Sequence, residues 1–397
     1  MTAEKQGAKA MKNTVYFDNA ATTFPKPQSV IEHVTKVMTE YCANPGRSSH
    51  SLAMRAAEEV YLTREKLADL FDCEPENVIF TSSATHSLNL AFKSTLKNGD
   101  HVLISDIEHN AVLRPITALA EKGIITYDIY TATSDAERLI TEISEKIRQN
   151  TAMICACHHS NITNTVIPIG AIGRFCRRKG ILFTVDASQS AGTFPISVRR
   201  DCIDVLCAPA HKGLYGIPGC GIAIFGDALS DCKRLSTFIE GGNGIASKSP
   251  YMPFFLPDRL ESGTLPLPAI AALSSGVDFI NKRTPEAILK KEKALSAIMR
   301  KGLKKLDGVR VHTDSDGAIV LFSVEGLPSE TVAELLASNG FCVRAGLHCA
   351  PLAHKKLSTP ENGAVRVSFG AFNTESEVKS FLYTLDHSVL PRRQKSN

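Results

Sequence analysis

The chain has 397 residues, 43% hydrophobic and 22% charged, an ordinary globular composition for which the length implies roughly two to three domains. A net charge of +4 without a dense Lys/Arg block gives no basis for nucleic-acid binding, and no apolar run reaches the roughly 18–20 residues of a membrane span. Eleven cysteines, an odd number with no CxxC spacing, fit free thiols in a reducing cytoplasm better than a disulfide framework.

Residues 1–13 are polar, rich in Ala and Lys, and lack the apolar core of a leader, so 1–14 is expected to be a loose tail. Strands are expected at 78–80, 101–105, 124–129, 152–157, 181–185, 205–208 and 221–225. Helical periodicity runs over 48–70, 85–97, 110–122, 135–149 and 169–179. Such alternation predicts an α/β fold with a mostly parallel central sheet and helices on both faces. Ligands then sit at the carboxyl ends of the strands, beside helix N-termini. Residues 240–268, rich in Gly, Ser and Pro, read as an active-site loop or a subunit contact. From 265 the texture changes. One long helical stretch to 306 is followed by strand-like segments at 309–312 and 318–324 and a helix at 329–338. A strand-loop-strand then brackets 344–349 and 365–368, and a terminal helix covers 375–387. The expected organisation is a large domain over 15–264 and a smaller C-terminal α+β domain over 265–397, completed by the N-terminal segment.

Several stretches could carry chemistry. Thr81-Ser-Ser-Ala-Thr-His86 links a strand to a helix, as an anion site at a helix N-terminus would or as a plain Ser/Thr cap would. His109, after the next strand, could stack on a flat ring or shuttle protons. Cys155-Ala-Cys157-His158-His159 has the look of a metal cluster. Its two cysteines, however, share one face of a buried strand, and packed thiols with no metal are the favoured reading. Asn161 and Gln189 place amides at the carboxyl edge, where each could equally be a turn residue or a cap. Asp186 closes an apolar run, and His211-Lys212 opens a Gly-rich loop about one βα unit later. A pyridoxal phosphate site needs such a pair: an amine for a Schiff base, and an acid to keep the pyridine nitrogen protonated. Arg344-Ala-Gly-Leu-His-Cys349 places a cysteine in a basic setting on a Gly-containing turn, where Arg344 or His348 could supply a field favouring the thiolate. Arg366, alternating with apolar neighbours, is an edge-strand arginine or a carboxylate clamp.

Taken together, these stretches resemble the pyridoxal-phosphate cysteine desulfurases and selenocysteine lyases, within the fold-type I, class V aminotransferase-like group. Tyr16-Phe-Asp-Asn-Ala-Ala-Thr22, Asn44-Pro-Gly-Arg-Ser-Ser-His50, Phe80-Thr-Ser-Ser-Ala-Thr85, Glu108-His-Asn110, His159-Ser-Asn161, Val185-Asp-Ala-Ser-Gln189, His211-Lys-Gly-Leu-Tyr-Gly216, Glu261-Ser-Gly-Thr264, the Cys349 loop and Arg366 follow the family order over nearly the whole chain. The Arg-x-Gly-x-His-Cys form is similar to the second group of desulfurases, whose cysteine loop is short. By that resemblance Lys212 holds pyridoxal phosphate and moves protons, and Asp186 pairs with the ring nitrogen. His109 stacks on the ring, and Gln189 and Asn161 bond near its hydroxyl. Ala84, Thr85 and His211 bind the phosphate, with His86 beside them. Thr264 reaches the phosphate of a neighbouring subunit, which implies a homodimer. Arg366 grips the substrate carboxylate, His50 and Arg344 line the substrate side, and Cys349 is the nucleophile. The implied reaction takes sulfur from L-cysteine and passes a persulfide to an acceptor protein or thiol.

Three positions depart from the family pattern. Pro209 lacks the hydroxyl usual two residues before the His-Lys pair, a loss that Ser82 or Ser83 could cover. His86 replaces a common Glu and would add positive charge to the anion site, and Ser48-Ser49 replaces a Gly-containing pair. The same residues would also serve a selenocysteine lyase. Alternatives are another class V reaction such as transamination or epimerisation, with Cys349 a bystander, and a non-catalytic sulfur-relay or metal-binding scaffold.

Overall fold

The computed structural model describes residues 14–46, 49–245, 247–313, 316–359 and 361–395. Residues 1–13 of the tail expected over 1–14, and Ser48, lie outside the described residues. Contacts divide the chain into a larger unit, Lys26–His159 with Val166–Glu286, and a smaller one that joins the segment ending at Pro25, Ser160–Thr165 and the chain from Ala287.

The first strand, β1 (Val15–Tyr16), belongs to the smaller unit. The larger unit begins with α1 (Gln28–Glu40), a helix with no counterpart among the expected elements, and α2 (Ser51–Phe71). Alternation then sets in: β2 (Val78–Thr81), α3 (Ala84–Thr95), β3 (Asp100–Ser105), α4 (Asn110–Glu121), β4 (Ile125–Tyr130), α5 (Ala136–Lys146) and β5 (Thr151–Cys157). After α6 (Ile169–Lys179) come β6 (Leu182–Asp186), β7 (Val205–Pro209) and β8 (Gly221–Phe225), and α7 (Leu267–Arg283) closes the unit.

These strands form one seven-stranded sheet, ordered β2-β8-β7-β6-β5-β3-β4, in which only β8 runs antiparallel to its neighbours. Strands β7 and β8 are buried along their whole length, as continuous apolar runs in a helix-covered sheet require. Helix α6 buries Ile169, Ile172, Phe175 and Cys176, one stripe at helical spacing. Ser83 and Asp135 each accept a backbone N–H at N-caps and so set where α3 and α5 start. The core below the sheet's carboxyl edge includes Ile79, Phe92, Val102, Ile104 and Phe225, and full burial of each such side chain stabilises by about 1.5–3 kcal/mol.

Helix α7 packs on α1 and α2, so the larger unit extends to Glu286 and not only to Thr264. The helical stretch expected over 265–306 is broken in two. Thr284 takes a left-handed φ of 63°, and Pro285, without an N–H, opens α8 (Pro285–Leu303).

In the smaller unit, α8 is followed by β9 (Val309–Val311), β10 (Ile319–Val324), α9 (Ser329–Ser338), β11 (Phe341–Cys342), α10 (Pro351–Lys356), β12 (Val365–Ser368) and α11 (Glu375–Thr384). Strands β12-β10-β9 form an antiparallel sheet, and β1 pairs in parallel with β11 through Val15–Phe341. Phe17 locks β1 into the core, its ring 5.2 Å from Phe369 and 5.7 Å from Phe381. The short segment 160–165 joins this unit because the Asn164 side chain both donates to the Ile319 carbonyl (2.7 Å) and accepts from its N–H (3.0 Å). The strand expected over 344–349 is absent. Arg344 makes one isolated bridge to Arg366, after which Gly346, His348 and Cys349 have φ of 97°, 52° and 55°, values no strand accommodates. Among the described residues, no helix is long and apolar enough to cross a membrane.

Candidate active site

Strand direction gathers the candidate residues of the larger unit. β2, β7, β6, β5 and β3 run in one sense, so their carboxyl ends share an edge. Thr81 and Pro209 both pair with Gly221, and Asp186 lies in register between Cys157 and Cys207. A Cβ on Gly221 would stand 2.5 Å from the Ser83 backbone, so only glycine lets β8 pass beneath the start of α3.

Lys212 follows β7 in a tight turn closed by Tyr215 N–H to the Lys212 carbonyl (2.9 Å) and Gly216 N–H to the Ala210 carbonyl (2.8 Å). This turn lies directly against the segment after Asp186. A Cβ on Gly213 would meet the Ala191 carbonyl oxygen at 2.3 Å, and one on Gly192 would meet the Gly213 oxygen at 2.2 Å. Backbone contact on both sides therefore holds the lysine loop beside the aspartate loop. Asp186 is 3% exposed, and its Oδ1 accepts from Ser188 N–H at 2.9 Å. The charge on Lys212 is felt locally: burial first, then Lys212, holds the His211 imidazole down at about 4. The Lys26 ammonium donates to the His211 carbonyl at 2.8 Å, and burial lowers its own pKa to about 8.

At the start of α3, Ala84 and Thr85 occupy the first turn, ahead of the first helical bond from Ser87 N–H to the Ser83 carbonyl. A helix N-terminus of this kind is an anion site through its unspent N–H groups and its dipole. The hydroxyls expected to cover for Pro209 both meet His86 within the turn. Ser83 Oγ caps His86 N–H (3.2 Å), and Ser82 Oγ lies 3.2 Å from His86 Nδ1. Burial lowers the pKa of His86, so the positive charge expected of it is disfavoured.

His109 and His50 are both helix caps. His109 Nδ1 accepts from Ala111 N–H (3.0 Å) and His50 Nδ1 from Ala53 N–H (3.2 Å), which puts the ring proton on Nε2 when each is neutral. Beneath His109 sits Glu108, fully buried. Its Oε1 accepts from Ser105 Oγ (2.5 Å) and Cys157 N–H (2.8 Å), while Oε2 has no hydrogen-bond partner among the described residues. Burial above all raises its pKa to about 8, with Asp186 adding to the shift. Gln189 is half-buried, and its carbonyl faces His159 Nδ1 at 3.5 Å. Cys155 and Cys157 are buried on β5, and burial pushes both thiols well above their usual range.

Thr264 is exposed on a loop that lines a cavity of ≈ 240 Å³ together with Asn44, Gly46 and Arg64. A buried ion pair anchors this loop: Glu261 Oε2 accepts from Arg64 (2.6 Å), and Oε1 accepts from Phe80 N–H (2.6 Å).

The smaller unit assembles a second group. Arg366, 2% exposed, donates to Asp18 Oδ1 at 2.7 Å, while its buried Nε has no partner among the described residues. Burial pulls its pKa below the usual guanidinium value, and Asp18 opposes the fall. Arg344 and Arg366 exchange backbone bonds of 3.3 and 2.7 Å. Cys349 is exposed, next to the buried His348, whose carbonyl accepts from Asn161 Nδ2 at 3.2 Å. Thus Asn161 belongs with the cysteine loop. Burial first, then Arg366, holds His348 down to about 2, so it is neutral and cannot supply the positive field expected of it. Sequence reasoning assigned no role to Asp18, Glu108 or His354. Each of the two carboxylates sat in a motif already noted.

A mostly parallel sheet that brings a buried carboxylate, a lysine loop and a helix N-terminus to its carboxyl edge defines a fold-type I pyridoxal-phosphate enzyme. The sequence profile described as Aminotransferase class-V matches residues 15–381, and the chain belongs to that family. It is similar to a probable cysteine desulfurase of Methanothermobacter thermautotrophicus, 29% identical over 95% of this chain and 95% of the relative. It is likewise similar to a probable cysteine desulfurase of Xylella fastidiosa, 32% identical over 94% of this chain and 90% of the relative. Among solved structures, an apo cysteine desulfurase from Thermococcus onnurineus superposes with a TM-score of 0.87 at 28% identity, covering 97% of this chain and 98% of that one. The residues present fit the family's pyridoxal phosphate. Asp186 would accept from a pyridinium N–H, Lys212 would provide the amine and the N-terminus of α3 would face a phosphate, while glycines keep the two loops in contact.

Proposed function

We propose that the chain is a cysteine desulfurase that converts L-cysteine to L-alanine and retains the sulfur as a persulfide on Cys349. The observation that carries this reading is Cys349 itself, exposed on a left-handed turn whose base is hydrogen-bonded to the strand of Arg366. The names of the relatives support it.

Bound pyridoxal phosphate supplies an electron sink for the bonds broken at the substrate's carbons. Lys212 anchors it and moves the Cα proton. Asp186 keeps a proton on the ring nitrogen, His109 covers the ring face, and Gln189 bonds near its hydroxyl. Ala84, Thr85, His86 and His211 hold the phosphate, with Thr264 reaching that of a second copy in a homodimer. His50 and Arg344 line the substrate side, and Arg366 turns its unspent Nε–H to the substrate carboxylate, a charge-assisted bond. Cys349 attacks as the thiolate, the nucleophilic form of the group. A sulfur–sulfur bond forms, the substrate's carbon–sulfur bond breaks toward carbon, and protonation of that carbon gives alanine. Thiol exchange then hands the outer sulfur to an acceptor thiol in a reducing cytoplasm.

The test is alanine and persulfide formation from L-cysteine. Wild type should yield both in equal amounts. Cys349→Ser should keep the cofactor's visible absorbance and form no persulfide. Lys212→Ala should lose turnover and the borohydride-fixed cofactor adduct at that position. Wild-type alanine formation by Cys349→Ser refutes the reading.

A further inference from the structure

The turn that carries Cys349 is braced by a chain of three side chains and a carbonyl. The rings of His348 and His354 are nearly coplanar, 5° apart with centroids at 5.3 Å, and meet edge to edge, their Nδ1 and Nε2 atoms 3.1 Å apart. His348 Nε2 lies 3.2 Å from the Arg344 carbonyl, and His354 Nδ1 lies 2.8 Å from Thr359 Oγ1. Burial dominates in holding both rings neutral, at about 2 for His348 and about 4 for His354.

Hydrogen-bond direction follows from the one group that can only accept. The Arg344 carbonyl requires the proton of His348 on Nε2, which leaves its Nδ1 an acceptor. His354 must then donate from Nε2, so its Nδ1 accepts from the Thr359 hydroxyl. The same Arg344 carbonyl accepts from Arg366 N–H at 2.7 Å, so both of its lone pairs are used. The chain therefore ends on the backbone of the strand that carries the carboxylate clamp. Between these anchors, His348 and Cys349 hold left-handed φ of 52° and 55°, which side-chain-bearing residues adopt only when their surroundings impose it. Backbone bonds inside the turn are few: Gly346 pairs with Ala364, and Ala350 N–H donates to the Leu347 carbonyl at 2.9 Å.

We propose that His354 is a positioning residue whose Nε2–H bond to His348 holds the Cys349 turn against the strand of Arg366, setting where the nucleophile stands relative to the substrate's carboxylate. This rests on the roles given above to Cys349 and Arg366. Nothing in the bond pattern is interchangeable with simple packing: a phenyl ring at 354 fills a similar space but lacks the donor, whereas glutamine preserves a donor near the Nε2 position.

The experiment compares cofactor-loaded wild type with His354→Phe and His354→Gln. Loss of two neutral hydrogen bonds predicts that His354→Phe lowers kcat for alanine formation roughly tenfold while KM for L-cysteine stays within about twofold. Amide hydrogen exchange in the peptide covering 344–350 should accelerate by a similar factor in that variant. His354→Gln should restore both readouts to within about threefold of wild type. Equal losses of kcat in the two variants, or no loss in either, overturn the proposal. Should the Phe variant not fold, Thr359→Val removes the outer donor, with an expected loss in kcat of about threefold at unchanged KM; an unchanged kcat there overturns it. A wild type that makes no alanine defeats the functional reading instead, and the exchange comparison then decides the bracing by itself.

Discussion

Replacing Glu261 by alanine removes the anchor of the Thr264 loop. Its carboxylate sits between Arg64 Nη2 and Phe80 N–H, both at 2.6 Å, with Arg64 6% and Glu261 8% exposed. Arg64 also donates to the Val78 carbonyl and lies 4.6 Å over the Phe80 ring, so it cannot swing out to water without unpacking β2. Removing one partner of a buried ion pair costs about 3–5 kcal/mol. The stranded Phe80 N–H adds about 1–3 kcal/mol, though effects at one site do not sum fully. An overall loss of about 5 kcal/mol follows, a fall in Tm of roughly 10 °C for a unit of this size. Glu261→Gln keeps an acceptor for Phe80 and should lose about half as much. Because buried ion pairs often exchange for apolar pairs at little cost, Arg64→Met with Glu261→Leu should recover most of the ion-pair loss. Calorimetry at fixed cofactor concentration, backed by urea midpoints, reads all four proteins. A Glu261→Ala protein within about 1 kcal/mol of wild type, the range of solvated surface pairs, would refute the argument, as would a double variant no more stable than Glu261→Ala.

Two further changes probe the sheet edge. Glu108 has a folded pKa of about 8 against an ordinary 4.5, so the folded state binds its proton more tightly. Its stabilising effect is therefore complete below about pH 4.5 and is lost as pH rises through about 8, on the order of 5 kcal/mol in all. Glu108→Gln cannot ionise. Urea unfolding at pH 5 and pH 8 should show a flatter pH dependence than wild type, and parallel curves would contradict the assignment. Gly213→Ala forces a Cβ to within 2.3 Å of the Ala191 oxygen and should part the lysine and aspartate loops. Cofactor affinity should drop at least about tenfold in an absorbance titration, and an unchanged affinity would show that the loops tolerate separation.

Much of the larger unit was legible residue by residue. Its inner strands β7 and β8 are unbroken apolar runs because both sheet faces are covered, and α3 and α5 begin at Ser and Asp caps, so local pattern and final structure agree there. Asp186, Lys212 and Thr85 sit at strand ends and helix starts, where their positions follow from the alternation itself. The smaller unit was harder to read. The Cys349 segment was expected to include a strand, yet three positive φ angles, at Gly346, His348 and Cys349, turn it back on itself.

By itself the sequence determined the α/β order, the lysine–aspartate pair and the cysteine within a basic motif, because each depends on residues close in the chain. Only the tertiary structure decided which groups are paired and which are charged. Asp18 finds Arg366, Arg64 finds Glu261, and the strand at Val15 finds Phe341 across long stretches of chain. Local propensity cannot encode such partners; the burial of complementary faces selects them. Burial then makes His348 neutral and Glu108 a weak acid, properties that no spacing in the chain records.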